Sequence, residues 1–505
     1  MVRRWQHPFL SPRPPVLPAV LEALAGSPMA DQPAVIDGSR ELTFRELNQR
    51  ARALAAHLLT QGVRTGDALV LTDRPGAPLC EAFLAAGLIG APVLHLHALL
   101  RPDDLAHVVN LVRPNAALGP PLDGLPHLPF LQHATPGAEA RDPLVVTDPD
   151  LVLQFRLTSG STGKPKVIPL THRRLLSRVA APGDWYTPGR RHGCIQAHMF
   201  PGYQVLSALA AGGTVVFRPL HLASALEDFL REKRIELLWG TPALFALVAR
   251  VKTPLPQPLP ALLAAVSSGA ALEPECADAV SRRWDVPVWQ GYGQSELGYL
   301  TESGPGSPPE SVGRAVPGVQ LRVVDESGSP LPCGKDGRIQ ARLEDPFPGY
   351  LGGEPSPVDE EGWITTGDLG GLDASGELHV RGRDTDQIQV AGNKVHAREV
   401  EALLRSFPGV EEAAVFALPH PLWGEVVAAA VVVAESQSHP TRATLLRFCR
   451  EHLQAWKCPR VLFLSPDLPR NALGKVDLPR LRELAREAPR HVVPVTGTKR
   501  NAPFR

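Results

Sequence analysis

The chain has 505 residues, of which 44% are hydrophobic, and it carries 52 basic and 52 acidic side chains. This length exceeds what one hydrophobic core supports, so at least two domains are expected. The balanced charge creates no field that would attract nucleic acid or an anionic membrane, and neither is predicted as a partner. The six cysteines include no C-x-x-C pair, which argues against a disulfide framework or a zinc site and suits a reducing compartment.

No targeting or membrane segment is predicted. The first 15 residues contain charge and prolines but no apolar run typical of a signal peptide. The most apolar window, residues 83–100, is interrupted by Pro92, His95 and His97, so it is predicted to be a buried helix followed by a buried strand. These features favour a cytoplasmic protein without a membrane span.

The first half of the chain alternates helical and extended patterns. Thr43 and Glu46 form a capping-box pattern at the start of a helix whose apolar positions share one face. Short apolar runs bounded by Gly or Pro follow at residues 67–72, 213–217, 236–240, 262–269 and 286–293. Helical stretches separate several of them, which predicts an α/β fold with a largely parallel sheet and ligands at the carboxyl ends of its strands.

The pattern of predicted secondary structure changes twice in the second half of the chain. From about residue 312, short strands and Gly turns predict a small antiparallel β subdomain, and after Arg383 a strand, an amphipathic helix and a buried strand predict an α+β domain. We therefore expect a large N-terminal domain over 1–384 and a small, mobile C-terminal domain over 385–488. The basic tail, 489–505, lacks periodicity and is expected to be flexible.

The stretch 157–172, LTSGSTGKPKVIPLTH, concentrates small donors and two lysines at one turn. Gly160 and Gly163 can adopt positive φ, so backbone N–H groups and neighbouring hydroxyls can form a nest for an anion such as phosphate. A Walker A loop is excluded because Thr158 stands where its first glycine belongs and Pro165 follows Lys164.

Four further motifs follow in order: GYGQSE at 291–296, TGD at 366–368, GRDTDQIQVAGNKVHAREVE at 382–401 and PRNALGKVD at 469–477. With the loop, they resemble the acyl-adenylate-forming superfamily of acyl-CoA synthetases, aryl-acid ligases, peptide-synthetase adenylation domains and luciferases. The resemblance implies ATP- and Mg²⁺-dependent conversion of a carboxylic acid to an acyl adenylate. It also implies acyl transfer to a pantetheine thiol, of CoA or of a carrier protein supplied in trans.

The resemblance assigns roles that fit the chemistry. The acid attacks the α-phosphorus while pyrophosphate leaves, so positioning and charge compensation are needed. Tyr292 is expected to stack on adenine, Ser295 to contact the α-phosphate and Glu296 to bind Mg²⁺. Asp368, expected in a Gly-flanked turn, would accept hydrogen bonds from the ribose hydroxyls, and Arg383 would contact the ribose or phosphates.

The resemblance implies a wider nucleotide site around these residues. Its members are Thr158, Ser159, Gly160, Ser161, Thr162, Gly163, Lys164, Lys166, Gly269, Ala270, Ala271, Gly291, Tyr292, Gly293 and Gln294.

Lys475 is the predicted catalytic lysine. The chain has only nine lysines, and a compact point charge suits a group that approaches the α-phosphate and later withdraws. In the family, the C-terminal domain rotates about a hinge, here Thr385 beside Asp386, and presents a second face for thioester formation. There Gly392 would let a pantetheine arm pass close to the backbone.

The sequence says less about which carboxylic acid is the substrate. Local sequence is similar to stand-alone aryl-acid ligases, in which the Asn of an Ala-His-Asn-Tyr-Pro segment binds the ortho-hydroxyl of the aromatic acid. Met199 stands at the position of that Asn. Salicylate-type acids are thus disfavoured, and Pro201 replaces the Asp that would hold an α-ammonium group. The residues expected around the acid are His198, Met199, Phe200, Gly202, Tyr203, Gln204 and Ser268. We expect an uncharged aryl or hydrophobic acid against a flexible apolar wall; ordinary core packing is the alternative for Met199 and Phe200.

Three functions remain open from sequence: a ligase that loads a carrier protein, a free-standing acyl-CoA ligase, and a catalytically silent adenylate-binding protein. The presence of both Glu296 and Lys475 argues against the third, because neither is needed merely to shape a pocket.

Overall fold

The computed structural model describes residues 16–72, 76–96, 102–129, 146–159, 165–179, 186–194, 202–218, 223–251, 253–255, 257–270, 272–353, 356–384, 387–390, 393–420, 423–434, 440–470 and 476–487. The chain divides into two compact units, Met1–Val380 and Arg381–Arg505, called here the larger and the smaller unit. The predicted α/β class is confirmed in the larger unit.

The larger unit alternates helices and strands. Its helices are α1 (Leu17–Ala25), α2 (Phe44–Thr60), α3 (Ala77–Ile89), α4 (Pro102–Val112), α5 (His172–Val179), α6 (Tyr203–Ala210), α7 (Ala223–Glu232), α8 (Pro242–Ala249) and α9 (Pro274–Trp284). Its first strands are β1 (Pro33–Asp37), β2 (Arg40–Thr43), β3 (Leu69–Leu71), β4 (Val93–His95), β5 (Ala116–Leu118), β6 (His127–Leu128), β7 (Val152–Ser159), β8 (Pro165–Thr171), β9 (Arg191–Cys194) and β10 (Thr214–Phe217). They are followed by β11 (Leu237–Gly240), β12 (Ala264–Ser268), β13 (Val288–Gln294), β14 (Gly298–Glu302), β15 (Arg314–Ala315), β16 (Val319–Val324), β17 (Gly337–Leu343), β18 (Ile364–Leu372) and β19 (Leu378–Arg383), which crosses the unit boundary.

Three sheets organise these strands. One has the order β15-β14-β13-β12-β11-β9-β10-β1-β2 and is parallel from β13 to β1. A second has the order β6-β5-β3-β4-β7-β8 and is parallel except for the β7–β8 hairpin. The third, β16-β17-β18-β19, is the small antiparallel subdomain that the sequence predicts.

Local sequence signals are realised where they were expected. Helix α2 begins with the reciprocal Thr43–Glu46 capping box and buries its predicted stripe, Leu47, Ala51, Leu54 and Leu58. Residues 83–96 form the end of the buried helix α3 and the buried strand β4, as predicted for that part of the apolar window. No helix in the described ranges is long and apolar enough to cross a membrane.

The smaller unit is an α+β domain, as predicted. Its strands are β20 (Gln387–Val390), β21 (Asn393–His396), β22 (Val410–His420), β23 (Gly424–Val433) and β24 (Val461–Leu464), and its helices are α10 (Ala397–Ser406), α11 (Arg442–His452) and α12 (Leu478–Glu487). The sheet has the order β21-β20-β23-β22, with β24 parallel to β23. Helix α10 buries Val400 and Leu404 against it.

Candidate functional site

The loop motif 157–172 forms a hairpin and the start of a helix. Strands β7 and β8 pair antiparallel, with Thr158 opposite Lys166 and Ser159 opposite Pro165. The hairpin thus brings the hydroxyl-rich end of β7 beside a lysine at the start of β8. The intervening predicted residues Gly160, Ser161, Thr162, Gly163 and Lys164 lie outside the described ranges.

Glu296 joins this hairpin to the GYGQSE motif, although Thr158 and Glu296 are 138 residues apart in sequence. The Thr158 hydroxyl donates to Glu296 Oε1 at 3.0 Å, and the Tyr350 hydroxyl donates to the same oxygen at 3.1 Å. Within the described residues, no donor contacts Oε2. The second carboxylate oxygen is therefore available to a cation, and the Lys166 ammonium lies 4.6 Å from the centroid of the Tyr350 ring.

A buried arginine fixes the backbone of Glu296. Arg174, on α5 and 2% exposed, donates from Nη2 to the Glu296 carbonyl at 2.8 Å. Its Nη1 donates to the carbonyls of Asp345 and Pro346 at 2.5 and 2.7 Å. Burial lowers the pKa of Arg174 from its usual value. Backbone carbonyl oxygens accept from both Nη atoms, whereas the buried Nε has no hydrogen-bond partner among the described residues. Sequence reasoning missed both Arg174 and Tyr350, because their partners are distant in the chain.

Asp368 is buried, 6% exposed, and it lies within strand β18 rather than in the predicted Gly-flanked turn. The prediction of a turn is wrong because pairing with β17, a separate segment of the chain, holds this segment in a strand. Gly367 nevertheless adopts a φ of 73°. Asp368 Oδ2 accepts a hydrogen bond from the Tyr292 hydroxyl at 2.6 Å and from Gln294 Nε2 at 2.7 Å. The TGD and GYGQSE motifs therefore meet through one carboxylate.

The glycines of the GYGQSE motif are required by close packing. A Cβ on Gly291 would overlap the Tyr299 side chain, and a Cβ on Gly293 would overlap the Gly298 carbonyl. Gly291 pairs in register with Ser268 at the carboxyl end of β12. The backbone then turns away through Gly269, whose φ is 92°, and Ala270, while Ala271 is outside the described ranges.

The structure describes some of the residues that the sequence predicts around the carboxylic acid. Gly202 precedes α6, and Tyr203 and Gln204 begin it. The Tyr203 ring is buried with the guanidinium carbon of Arg156 4.3 Å from its centroid, so this part of the wall is not purely apolar. His198, Met199 and Phe200 lie outside the described ranges.

The predicted residues of the smaller unit are partly described. Arg383 lies at the end of β19 and is exposed. Lys475 is outside the described ranges, but its flanks meet in an antiparallel bridge between Arg470 and Val476. Thr385, Asp386 and Gly392 are also outside them, the last between the paired strands β20 and β21.

The side chains of the candidate site that could bind a metal ion offer oxygen atoms as ligands. No group of three or more His, Cys, Asp or Glu side chains that could hold a metal ion occurs among the described residues, and all six cysteines are free thiols. Thr158 and Glu296 instead provide a hydroxyl and a carboxylate. Mg²⁺ commonly binds through one or two protein oxygens, with water and substrate phosphates completing its shell. The residues present fit that ion.

Comparison with known proteins covers nearly the whole chain. The family model described as AMP-binding enzyme matches residues 21–351, and the AMP-binding enzyme C-terminal domain model matches residues 399–475. The chain is similar to the feruloyl-CoA synthase of an Amycolatopsis species, at 30% identity over 88% of this chain and 94% of that protein. It is also similar to the 4-chlorobenzoate–CoA ligase of an Arthrobacter species, at 31% identity over 88% of this chain and 91% of that protein. The ATP-bound RpMatB-BxBclM chimera B3 has the same fold, with a TM-score of 0.86 at 25% identity over 94% of this chain and 99% of that one.

Proposed function

Because the chain belongs to the AMP-binding enzyme family of acid-adenylating ligases, we propose that it converts a carboxylic acid and ATP to an acyl adenylate and pyrophosphate, and then transfers the acyl group to a thiol. The observation that carries this proposal is the convergence of three separate motifs. Thr158 of the loop motif contacts Glu296 of GYGQSE, and Asp368 of TGD contacts Tyr292 and Gln294 of the same motif.

The larger unit would hold the nucleotide. Asp368 would accept hydrogen bonds from the ribose hydroxyls, and Tyr292, whose hydroxyl is tied to that carboxylate at 2.6 Å, would present its ring to the adenine. The hydrogen bond fixes the ring plane before ATP arrives, so less ordering remains to be done on binding. Ser295 and the donors of the loop motif would contact the phosphates.

Thr158 and Glu296 would hold Mg²⁺. The ion, when bound, screens the charge of the triphosphate and of the departing pyrophosphate. Tyr350 and Arg174 would act as positioning residues, since one fixes Oε1 and the other fixes the backbone of Glu296. Lys475 would bring its positive charge to the α-phosphate while the carboxylate attacks.

We propose CoA as the thiol acceptor, with a carrier protein in trans as the alternative. The similar proteins named above are a feruloyl-CoA synthase and a 4-chlorobenzoate–CoA ligase, which supports a free-standing CoA ligase over a carrier-loading one. Both names specify an aryl acid, which supports an uncharged aryl acid over an aliphatic one.

The test is ATP–pyrophosphate exchange with a panel of benzoic, cinnamic and C6 to C12 acids, followed by thioester assay with CoA or with a phosphopantetheinylated carrier protein. Exchange with aryl acids and thioester formed with CoA is the expected result. Exchange without thioester on CoA would shift the acceptor to the carrier protein. Absence of exchange with every acid would contradict the ligase and leave the silent adenylate-binding protein.

A further inference from the structure

One tyrosine of the candidate site contacts two groups of opposite charge. The Tyr350 hydroxyl donates to Glu296 Oε1 at 3.1 Å. The ammonium group of Lys166 lies over the ring of the same tyrosine, with Nζ 4.6 Å from the ring centroid. Tyr350 therefore meets the predicted metal ligand through its hydroxyl and a predicted phosphate-binding lysine through its ring.

Hydrogen bonds on both sides of Tyr350 fix the segment that carries it. Upstream, Arg174 Nη1 donates to two consecutive backbone carbonyls, of which the first belongs to Asp345. Downstream, the Leu351 N–H donates to the Val167 carbonyl on β8 at 2.8 Å. The segment is thus attached at one end to α5 and at the other end to β8, so the protein itself sets the position of the tyrosine ring.

Lys166 and Glu296 lie in the same small region of the larger unit. Lys166 is directly opposite Thr158 in the β7–β8 hairpin, and side chains at such positions share a face with their Cβ atoms about 5 Å apart. The Thr158 hydroxyl is itself 3.0 Å from Glu296 Oε1. The long, flexible lysine side chain can therefore reach the carboxylate, and the tyrosine ring is what it lies against instead.

A direct ion pair would impair both residues in the roles proposed for them. It would offset the negative charge with which Glu296 attracts Mg²⁺, and it would draw the Lys166 ammonium away from the phosphates. An aromatic ring avoids this conflict, because its quadrupole attracts a cation without neutralising the charge. The Tyr350 hydroxyl likewise orients Glu296 through a neutral donor and leaves the carboxylate charge to a metal ion.

We propose that Tyr350 is a positioning residue that keeps Lys166 and Glu296 apart, so that the lysine serves the triphosphate and the carboxylate serves Mg²⁺. The inference rests on the proposed function, because it takes the nucleotide and metal roles of these two residues from there. It adds a separate task for each part of one side chain. The hydroxyl orients Glu296, and the ring restrains Lys166.

Isothermal titration calorimetry with ATP, once in EDTA and once in excess Mg²⁺, separates the two tasks without an acid substrate or turnover. The ratio of the two dissociation constants, called here the metal gain, reports how much Mg²⁺ strengthens ATP binding. Tyr350→Phe removes the hydroxyl and keeps the ring. We expect the dissociation constant in EDTA to change less than about twofold and the metal gain to fall about tenfold, because a partner that orients a metal ligand is lost.

Tyr350→Leu removes the ring as well and allows Lys166 to pair with Glu296. We expect the metal gain to fall below that of Tyr350→Phe, and the affinity for ATP in EDTA to fall about 3- to 10-fold because the lysine is no longer restrained. Adding Lys166→Met to Tyr350→Leu deletes the competing ammonium, so the metal gain should rise to the Tyr350→Phe value. In the wild-type background, Lys166→Met should weaken ATP binding in EDTA and leave the metal gain within about twofold.

Phe347→Leu is the matched control, because Phe347 packs edge to face against Tyr350 at 5.1 Å in the same segment and its replacement removes neither polar contact. Tyr350→Met carries the test if Tyr350→Leu fails to fold by circular dichroism. A rise in the metal gain when Lys166→Met is added to the variant without the ring, with Phe347→Leu close to wild type, supports the inference.

The inference is overturned if Lys166→Met leaves the metal gain of that variant unaltered. It is also overturned if Phe347→Leu lowers the metal gain as much as Tyr350→Phe does, because general packing of the segment would then account for the loss. Both results leave acid adenylation standing, whereas a wild-type protein that binds no ATP contradicts the proposed function as well.

Discussion

At the scale of single residues, the candidate site contains two carboxylates that hydrogen bonds from other segments of the chain hold in place. Glu296 accepts both of its side-chain hydrogen bonds on Oε1. Asp368 accepts two on Oδ2, from Tyr292 and Gln294. Hydrogen bonds from fixed donors hold a carboxylate in one orientation. The protein itself therefore orients both side chains.

Asp368→Asn tests the ribose contact. The amide keeps the size of the side chain but removes its charge, and hydrogen bonds to charged groups contribute about 1.5–3 kcal/mol. We expect KM for ATP in pyrophosphate exchange to rise by about 10- to 100-fold. The matched control is Asp373→Asn, because Asp373 accepts hydrogen bonds from Ser375 within a local turn. An ATP KM that is equal in the two variants would contradict the assignment.

His172 makes the stability of the fold depend on pH. It begins α5, its Nδ1 accepts from the Leu17 N–H at 3.4 Å, and burial lowers its pKa from 6.5 to about 4. The unfolded chain therefore binds a proton between pH 6.5 and 4 that the folded chain does not. Stability is fully present above pH 6.5 and falls as the pH is lowered toward 4, by up to about 3 kcal/mol from this group.

His172→Asn places an acceptor near the Nδ1 position without a titrating ring. Urea unfolding of the wild-type protein at several pH values from 7.5 to 4.5 should show a decline in the free energy of unfolding that is shallower in the variant. His192 titrates lower and contributes in the same direction, so part of the decline should remain. Parallel curves for the two proteins would show that His172 is not a source of acid sensitivity.

At the scale of elements, the sequence predicts patterns that depend on near neighbours, whereas it does not display pairings between distant segments. The capping box of α2, the strand at β12 and the amphipathic helix α10 depend on neighbours within a few residues, which sequence displays directly. The strand order β11-β9-β10-β1 is not sequential, so no local pattern reveals that His192 and Trp239 share a face. For the same reason, Tyr350 could not be assigned to Glu296. The strand environment of Asp368 was missed because two flanking glycines resemble a turn.

Thr43→Ala tests the element that sequence defined best. The Thr43 hydroxyl accepts from the Glu46 N–H at 3.1 Å, and the Glu46 carboxylate accepts from the Thr43 N–H at 2.9 Å. Removing the cap should lower the free energy of unfolding by about 1 kcal/mol. The measurement is urea denaturation, with Thr60→Ala at the other end of α2 as control, since that hydroxyl only donates to a helix carbonyl, of His57. The kinetics of ATP–pyrophosphate exchange should be unchanged in Thr43→Ala. Equal free energies of unfolding for Thr43→Ala and Thr60→Ala would contradict a stabilising contribution of the cap.

At the scale of the whole molecule, the proposed chemistry is divided between two units. Glu296 and Asp368 belong to Met1–Val380, whereas Arg383 and Lys475 belong to Arg381–Arg505. A charge carried on a separate unit can be present for one half-reaction and absent from the other. That division predicts that the two half-reactions respond differently to loss of Lys475.

Lys475→Ala should slow adenylate formation by about 10²- to 10³-fold, since it deletes one positioned charge that acts on the reacting phosphate. The second half-reaction, started from chemically synthesised acyl adenylate and CoA, should proceed within a few-fold of the wild-type rate, because the thiol attacks the acyl carbon, AMP leaves, and no bond to phosphorus forms or breaks in that step. Lys335→Ala is the control, since Lys335 is an exposed lysine of the larger unit that the proposed site does not use. Equal slowing of both half-reactions would indicate that Lys475 supports the fold or both chemical steps. Unchanged pyrophosphate exchange would remove it from the reaction.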